Sequence, residues 1–493
     1  MSGNNSMLPK SILTSRPWWI EHTTSTSGFN FKWQPFANGF RFDLLNSNTI
    51  KQATNHLEFH SELSSKSKLF LNLQTYSEIN KENVFNFLPI TFYIEVTREK
   101  LNGQLNNLIH RFSTFHRMLE AKKKFFRFHP KPPKLATPTK QFPITYDPRS
   151  APQYSNYTMP VCHFAGHNLW LLKPTRLNRG RGIHVFRDIE SLSNLLIKCC
   201  NKETITEHNE VNSFIIQKYI ERPLLIDKRK FDIRVWVLIT HEFGTYFFKE
   251  GYLRTSSTEY KIDLDNVDNK FVHLTNNAVQ KHSNSYGNYE DGNQMSFKYF
   301  QKYLDTNFAE KEIRVEELVK DMKNVILKSI LSVRKKMNNT GIRKYSFELF
   351  GYDFIIDQDF NVWLIEVNTN PCLEESSKLL QSLIPRMLDD AFRLTLDCIF
   401  PAPGEYTKSK KYPVPDYDDN ENMWYTILLI YRELLYTEAD PNIQVPATEL
   451  KSTQIISLGD FKSYSGTRRR KYRRGASGKI LRKRPITGSK KKV

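Results

Sequence analysis

The residues best equipped for chemistry lie between Phe347 and Leu373, in FELFGYDFIIDQDFNVWLIEVNTNPCL. Glu366 and Asn368 are two positions apart, so on an extended strand they share a face. Two apolar runs, Phe347–Ile356 and Asn361–Val367, flank the polar Asp357-Gln358-Asp359, which predicts a hairpin. Folded near Asp359, that hairpin sets Asp353 across from Glu366, give or take one residue. Two carboxylates and an amide then meet at its end. Paired acids repel and are costly to bury. A hard cation, such as magnesium carrying nucleotide phosphates, relieves that cost. A buried hairpin with a polar end is the alternative these residues leave open.

Asn168–Arg187, NLWLLKPTRLNRGRGIHVFR, is the second such stretch. A strand at Leu169–Lys173 feeds an Arg/Gly loop, and a strand at Ile183–Phe186 leaves it. Gly180 and Gly182 permit positive φ, so backbone amides can face phosphate oxygens, and Lys173 adds a point charge. A lone Gly-Arg-Gly is more often a plain hairpin turn, and no Walker GK[ST] is present. In Lys230–Thr240, Lys230, Asp232 and Arg234 fall on one strand face, with Phe231, Ile233, Val235 and Val237 on the other. A solvated face explains those charges, and so does a cleft for phosphates and a carboxylate. Arg254 ends a strand that begins at Thr245, where its planar fork suits a carboxylate. Ser213–Ile220 reads as a strand that either offers backbone groups to a base edge or fills a core. Phe271–Lys281 and Ser285–Asn293 read as binding loops.

The elements that position these residues divide a 493-residue chain into two or three domains. Residues 1–28 read as loop. A small N-terminal domain at 29–90 holds short strands in Phe29–Leu45, a helix from Asn55 to about Tyr76 and a strand at Val84–Val96. A central unit at 91–220 holds a helix at Arg98–Ala121 and a basic, Pro-rich loop near 121–143. A unit at 221–402 holds an apolar-striped helix at Val315–Met337 and another at Glu374–Ile399. The extension 403–437 is expected to carry a helix within Asn420–Thr437, and 438–493 reads as a disordered tail.

Net charge is +20, and fourteen Lys and Arg residues follow Asp460 with no acid among them, which leaves +6 for the rest. Such a tail suits a polyanion. The five cysteines form no CxxC pair, so neither a disulfide framework nor a zinc site is expected. No apolar run reaches the length of a membrane span, and the first residues lack an apolar signal core. A cytosolic protein is expected.

Read in order, NRGRGI (178–183), IIQKYIERPLL (215–225), KFDIRVWVLI (230–239), EGYLRTSS (250–257), HLTNNAVQKH (273–282), YGNYEDGN (286–293), FELFGYDFIID (347–357) and VWLIEVNTNPCL (362–373) resemble the tubulin tyrosine ligase and tubulin tyrosine ligase-like family. The resemblance runs from about Asn55 to Pro401. It implies an α/β (α+β) ATP-grasp fold with a small N-terminal domain, a central domain and a C-terminal mixed-sheet domain. It further implies that Lys173, Arg179, Gly180, Arg181, Gly182 and Lys230 hold the ATP phosphates. Gln217, Lys218, Tyr219 and Ile220 would border the adenine, and His273, Thr275 and Asn276 the ribose and phosphate side. Asp353, Glu366 and Asn368 would hold magnesium, with Asp232 helping the metal and nucleotide site. Arg234 and Arg254 would face the acyl-phosphate and the incoming carboxylate, and act in catalysis with Glu366. Lys66 and Lys68 would touch the substrate tail.

The implied activity is ATP-dependent addition of glutamate, tyrosine or glycine to the acidic C-terminal tail of tubulin, through an acyl-phosphate. Tubulin or microtubules and a free amino acid are the implied partners. A monomer in the cytoplasm and cytoskeleton is expected, extending to the cilium and basal body, with no membrane or nucleic-acid partner. RTSS and YGNYEDGN are nearer to tyrosine ligase. The basic tail departs from it, implies electrostatic docking on microtubules and leans toward glutamate or glycine. A catalytically inactive microtubule-binding protein of ATP-grasp fold and a ligase for a non-tubulin protein are the alternatives.

Overall fold

The computed structural model describes residues 6–22, 28–37, 40–45, 50–95, 117, 163, 166–175, 177, 180–200, 213–262, 269–337, 345–404 and 412–428. The expected helix at Arg98–Ala121 lies outside them save for Arg117. The Pro-rich loop near 121–143, the tail 438–493 and Arg179 lie wholly outside.

In chain order the strands are β1 (Phe31–Lys32), β2 (Ala53–Thr54), β3 (Thr91–Glu95), β4 (Trp170–Pro174), β5 (His184–Phe186) and β6 (Ser213–Lys218). Then come β7 (Leu225–Ile226), β8 (Arg229–Ile239), β9 (Thr245–Thr255), β10 (Gln294–Ser296), β11 (Glu348–Ile356), β12 (Val362–Thr369) and β13 (Trp424–Leu428). The helices are α1 (Met7–Thr14), α2 (Ser61–Ser64), α3 (Lys66–Ile79), α4 (Ile189–Cys200), α5 (Lys270–His273), α6 (Asn277–Gln280), α7 (Phe297–Asn307), α8 (Val315–Met337), α9 (Lys378–Leu394) and α10 (Leu396–Ile399).

Two sheets carry the site. The smaller, antiparallel throughout, runs β3-β6-β4-β5. The larger runs β10-β9-β8-β11-β12, with β7 added to β8 and β13 to β9. On one face of the larger sheet, Phe231, Ile233, Val235 and Val237 join Phe350, Tyr352, Phe354 and Val367. That face packs on α8, whose stripe of Leu318, Met322, Val325, Ile326, Ile330 and Val333 recurs at helical spacing. Each such side chain contributes about 1.5–3 kcal/mol when fully buried. Glu316 and Glu317 in the first turn of α8, and Arg334, Lys335 and Lys336 in its last, complement the helix dipole.

The opposite face is divided. Its far half, with Trp236, Leu238, Phe248 and Tyr252, is covered by α9 through Leu383, Ile384 and Met387. Its near half carries the charges described below.

Several local expectations fail. The strand expected at Val84–Val96 begins only at Thr91, because the Asn83 side chain accepts from the Phe85 N–H and starts a 3-10 turn at Val84–Asn86. The loop expected at Phe271–Lys281 carries the short helices α5 and α6. Residues 7–14 form α1 rather than loop, because Ile12 and Leu13 bury in the cluster that includes α9, and Arg16 pairs with Asp389 at 3.0 Å. The helix expected from Asn55 starts at Ser61. The Asn55 side chain both accepts from and donates to the main chain of Gln34, which holds the segment extended. Within Asn420–Thr437 the described residues form β13, not a helix. Trp424, Tyr425 and Thr426 pair with Phe248, Phe247 and Tyr246, and the Trp424 indole donates to the Met387 carbonyl at 2.9 Å. Aromatic and β-branched residues favour that pleated, half-buried position. Among the described residues no helix is long and apolar enough to cross a membrane.

Candidate active site

The hairpin pairs Asp353 directly with Glu366 and Gly351 with Asn368. On the other side of β11, Asp353 pairs with Arg234, and one strand further Asp232 pairs with Arg254. Strand periodicity therefore gathers two arginines, three carboxylates and an amide on one face. Arg234 grips Asp353 with two donors, at 2.5 and 3.0 Å. Arg254 grips Asp232 at 2.6 and 2.7 Å and reaches Asp353 at 2.9 Å. Thr275 donates to Asp232 at 2.6 Å. The Asn368 amide nitrogen donates to Asp353 at 3.2 Å and to Glu366 at 3.1 Å.

Burial alone would raise the Asp353 pKa. The two guanidiniums outweigh it and hold the carboxyl at about 2. Asp353 is thus balanced by arginine. Glu366 is half-buried, and Asn368 is its one hydrogen-bond partner among the described residues. With the Asn368 nitrogen spent on the two acids, its carbonyl oxygen remains for a cation. The Glu366 carboxylate and the Asn368 carbonyl are hard oxygen donors that fit magnesium. Asp353 also offers a hard oxygen: its Oδ2 meets Arg234, Arg254 and Asn368, while its Oδ1 accepts from Arg234 Nε and keeps a further lone pair.

Two buried lysines adjoin this group, Lys173 from β4 of the smaller sheet and Lys230 from β8 of the larger one. Lys173 donates to Gln217 at 2.7 Å, and Gln217 donates to Thr91 at 3.0 Å. Lys230 donates to the Tyr219 hydroxyl at 3.0 Å and to the His273 carbonyl at 2.9 Å. The Tyr219 hydroxyl lies 2.9 Å from His273 Nδ1. Gly180 and Gly182 have φ of 72° and 67°, in the left-handed region that glycine adopts freely. A Cβ on Gly180 would stand 3.0 Å from Leu274, so this loop lies against the segment carrying His273 and Thr275.

Burial pushes Lys173 down to about 8, with Glu366 pulling it up and Lys66 pushing it further down. Burial likewise pushes Lys230 to about 7, opposed by Asp232 and reinforced by Lys173. A bound polyphosphate would raise both values, so binding takes up protons. Nucleotide affinity is therefore expected to fall as pH rises through 7 to 8. Titration calorimetry at several pH values, in buffers of different ionisation enthalpy, reads both effects, and a pH-independent affinity would contradict them.

Lys66 and Lys68 part company. Lys66 donates to the Leu177 carbonyl at 2.9 Å and lines a small cavity with Thr91, Gln217 and Glu366. Lys68 pairs with Glu62 at 2.7 Å, where it is largely exposed. Lys218 and Ile220 also turn away from the cleft. Lys218 is buried against Glu221 at 2.8 Å, and Ile220 packs with Ile355 and Trp363, so only backbone groups of these two could meet a base. Arg181 is exposed, and the half-buried Asn276 precedes α6 without capping it through its side chain.

Sequence reasoning missed two supports. Thr91 orients Gln217, and a single threonine at the start of a strand carried no signal. Gly351 leaves room for Arg234: a Cβ there would lie 3.1 Å from the Arg234 Cδ and Nε and 3.0 Å from Pro371. A glycine inside an apolar strand was the available clue. Gly351→Ala is expected to cost about 1–3 kcal/mol through overpacking and to loosen the Arg234–Asp353 pair. Unaltered melting and nucleotide binding would count against this account.

The model of the Tubulin-tyrosine ligase family matches residues 43–405, a span that holds every candidate residue above. The chain belongs to the tubulin-tyrosine ligase family. It is 36% identical over 242 residues to Tubulin glycylase 3B of Tetrahymena thermophila, covering 48% of this chain and 19% of that protein. It is 38% identical over 237 residues to Tubulin glycylase 3D of the same organism, covering 47% and 21%. It is 32% identical over 252 residues to Probable tubulin polyglutamylase TTLL9 of Rattus norvegicus, covering 46% and 53%. The chain thus spans about a fifth to about half the length of these family relatives.

Proposed function

We propose that this chain is an ATP-dependent ligase that joins an amino acid to the acidic C-terminal tail of tubulin. The observation that carries the reading is the cleft in which the buried Lys173 and Lys230 meet the charge of Glu366 and Asp232. Lysines set against a carboxylate–amide pair suit a polyphosphate with a hard cation. In this reading the chain has an ATP-grasp fold, with each sheet forming one jaw, which the two sheets that carry Lys173 and Lys230 support.

In that reading Lys66, Lys173, Lys230 and the Gly180–Gly182 amides bear on the phosphates. Tyr219, His273, Thr275 and Asn276 lie on the nucleoside side. Glu366 and Asn368 would hold magnesium, with Asp353 contributing its Oδ1. Magnesium, when bound, supplies screening between the phosphates and an approaching carboxylate. The tail carboxylate attacks the γ-phosphorus, ADP leaves and an acyl-phosphate forms. The amine of the amino acid then attacks the acyl carbon, losing a proton, and phosphate leaves. The chain's residues orient the reactants and neutralise their charge.

The names of the relatives favour glycine or glutamate over tyrosine, and the higher identity of the two glycylases, 36% and 38% against 32% for the polyglutamylase, puts glycine first. Work at the cytoskeleton, the cilium included, follows from the substrate. The test is tubulin incubated with the full chain, ATP and equimolar labelled glycine, glutamate and tyrosine, with mass spectrometry of the tails. Added glycine supports the reading. No addition, or addition to other acidic proteins but not to tubulin, overturns it.

A further inference from the structure

Glu348 opens β11 and is fully buried on the sheet face opposite Glu366 and Asn368. Its carboxylate accepts from three donors on two remote segments. These are the hydroxyl of Thr369, the backbone N–H of Leu57 at 2.8 Å and Nδ1 of His56 at 3.1 Å. Thr369 ends β12 and directly follows Asn368. His56 Nε2 lies 2.9 Å from the Gln34 carbonyl, so each ring nitrogen lies beside an oxygen acceptor. Burial works to discharge the ring, but Glu348 outweighs it and the His56 pKa is raised. Burial keeps the neighbouring His60 low. One carboxylate therefore ties the segment leading to Lys66 to the end of the strand that carries Glu366 and Asn368.

We propose that Glu348 is a positioning residue: through Thr369 and His56 it sets Glu366 and Asn368 against Lys66, and with them the site for a divalent cation bound alongside nucleotide. This rests on reading the cleft as an ATP site. His56, His60 and Glu348 are also close enough to share a metal ion, with ligand atoms within 4.8 Å of one another. Glu348 already has three donors, however, and both ring nitrogens of His56 lie against oxygens, so those contacts would have to break for that ion to bind.

The test measures Mn2+ binding to the full chain with ADP, by loss of the free-ion electron paramagnetic resonance signal. Thr369→Val, which removes one hydroxyl at a half-buried site, is compared with Thr369→Ser and Glu348→Gln. Thr369→Val and Glu348→Gln are expected to weaken Mn2+ binding about tenfold, as changes behind a ligand do. Metal-free ADP binding should stay near wild type, and Thr369→Ser should restore the cation. Wild-type Mn2+ binding in Thr369→Val overturns the proposal. So does a parallel loss of metal-free ADP binding and thermal stability, or zinc copurifying one per chain and lost in His60→Ala. A wild-type chain that binds no nucleotide at all overturns instead the reading on which the proposal rests.

Discussion

Glu366→Ala is expected to remove amino-acid transfer to tubulin almost completely while leaving the protein folded. Its carboxylate is the acid of the site that no guanidinium neutralises among the described residues, and it acts on Lys173 across the cleft. A cation in that position is worth several kcal/mol to the transferring phosphoryl group, or about a thousandfold in rate. The cost to folding is small, because the side chain is half-buried and has one partner. Stability should shift by about 0.5 kcal/mol or less, as for a surface substitution. Labelled amino-acid incorporation and a melting curve on the same preparation read both effects. Activity within tenfold of wild type would remove Glu366 from the site.

Arg254→Ala shows the opposite profile. Arg254 is buried and holds Asp232 and Asp353 together. Without it, among the described residues, Asp232 keeps the Thr275 hydroxyl as its one hydrogen-bond donor, and Asp353 keeps Arg234 as its ion-pair partner. Stripping one partner from a buried ion pair costs about 3–5 kcal/mol, because the remaining charge stays out of water. Arg254→Lys should recover little, since a point charge cannot make the two-pronged contact. Combining Arg254→Ala with Asp232→Ala should return about 1–3 kcal/mol, since contacting residues couple. Urea denaturation of the four proteins measures this cycle. Strict additivity would mean that the pair seen in the structure contributes nothing to the fold.

The hairpin was legible in sequence to within one residue of its register, because a polar turn and two apolar runs encode it locally. The alternation of charged and apolar residues in β8 was equally plain. What it could not convey was where the charges went. Arg234 and Asp353 lie 119 positions apart, and only the fold brings them into contact. The family resemblance placed both arginines near substrate, whereas the structure gives each a buried carboxylate. Lys66 and Lys68 looked like a pair because they are neighbours in sequence. On α3 they stand about 200° apart around the helix, so one enters the cleft while the other meets solvent. α1 and β13 were missed for a related reason: each is stabilised by partners hundreds of positions away.

Capping one end of the larger sheet, β13 occupies backbone positions along Thr245–Phe248 that would otherwise stand open. An uncovered row of amides and carbonyls is a template on which a second chain can lay its own strand. Losing this five-residue ribbon would thus open a template for strand-to-strand association, at the other end of β9 from Arg254 and the carboxylates it holds.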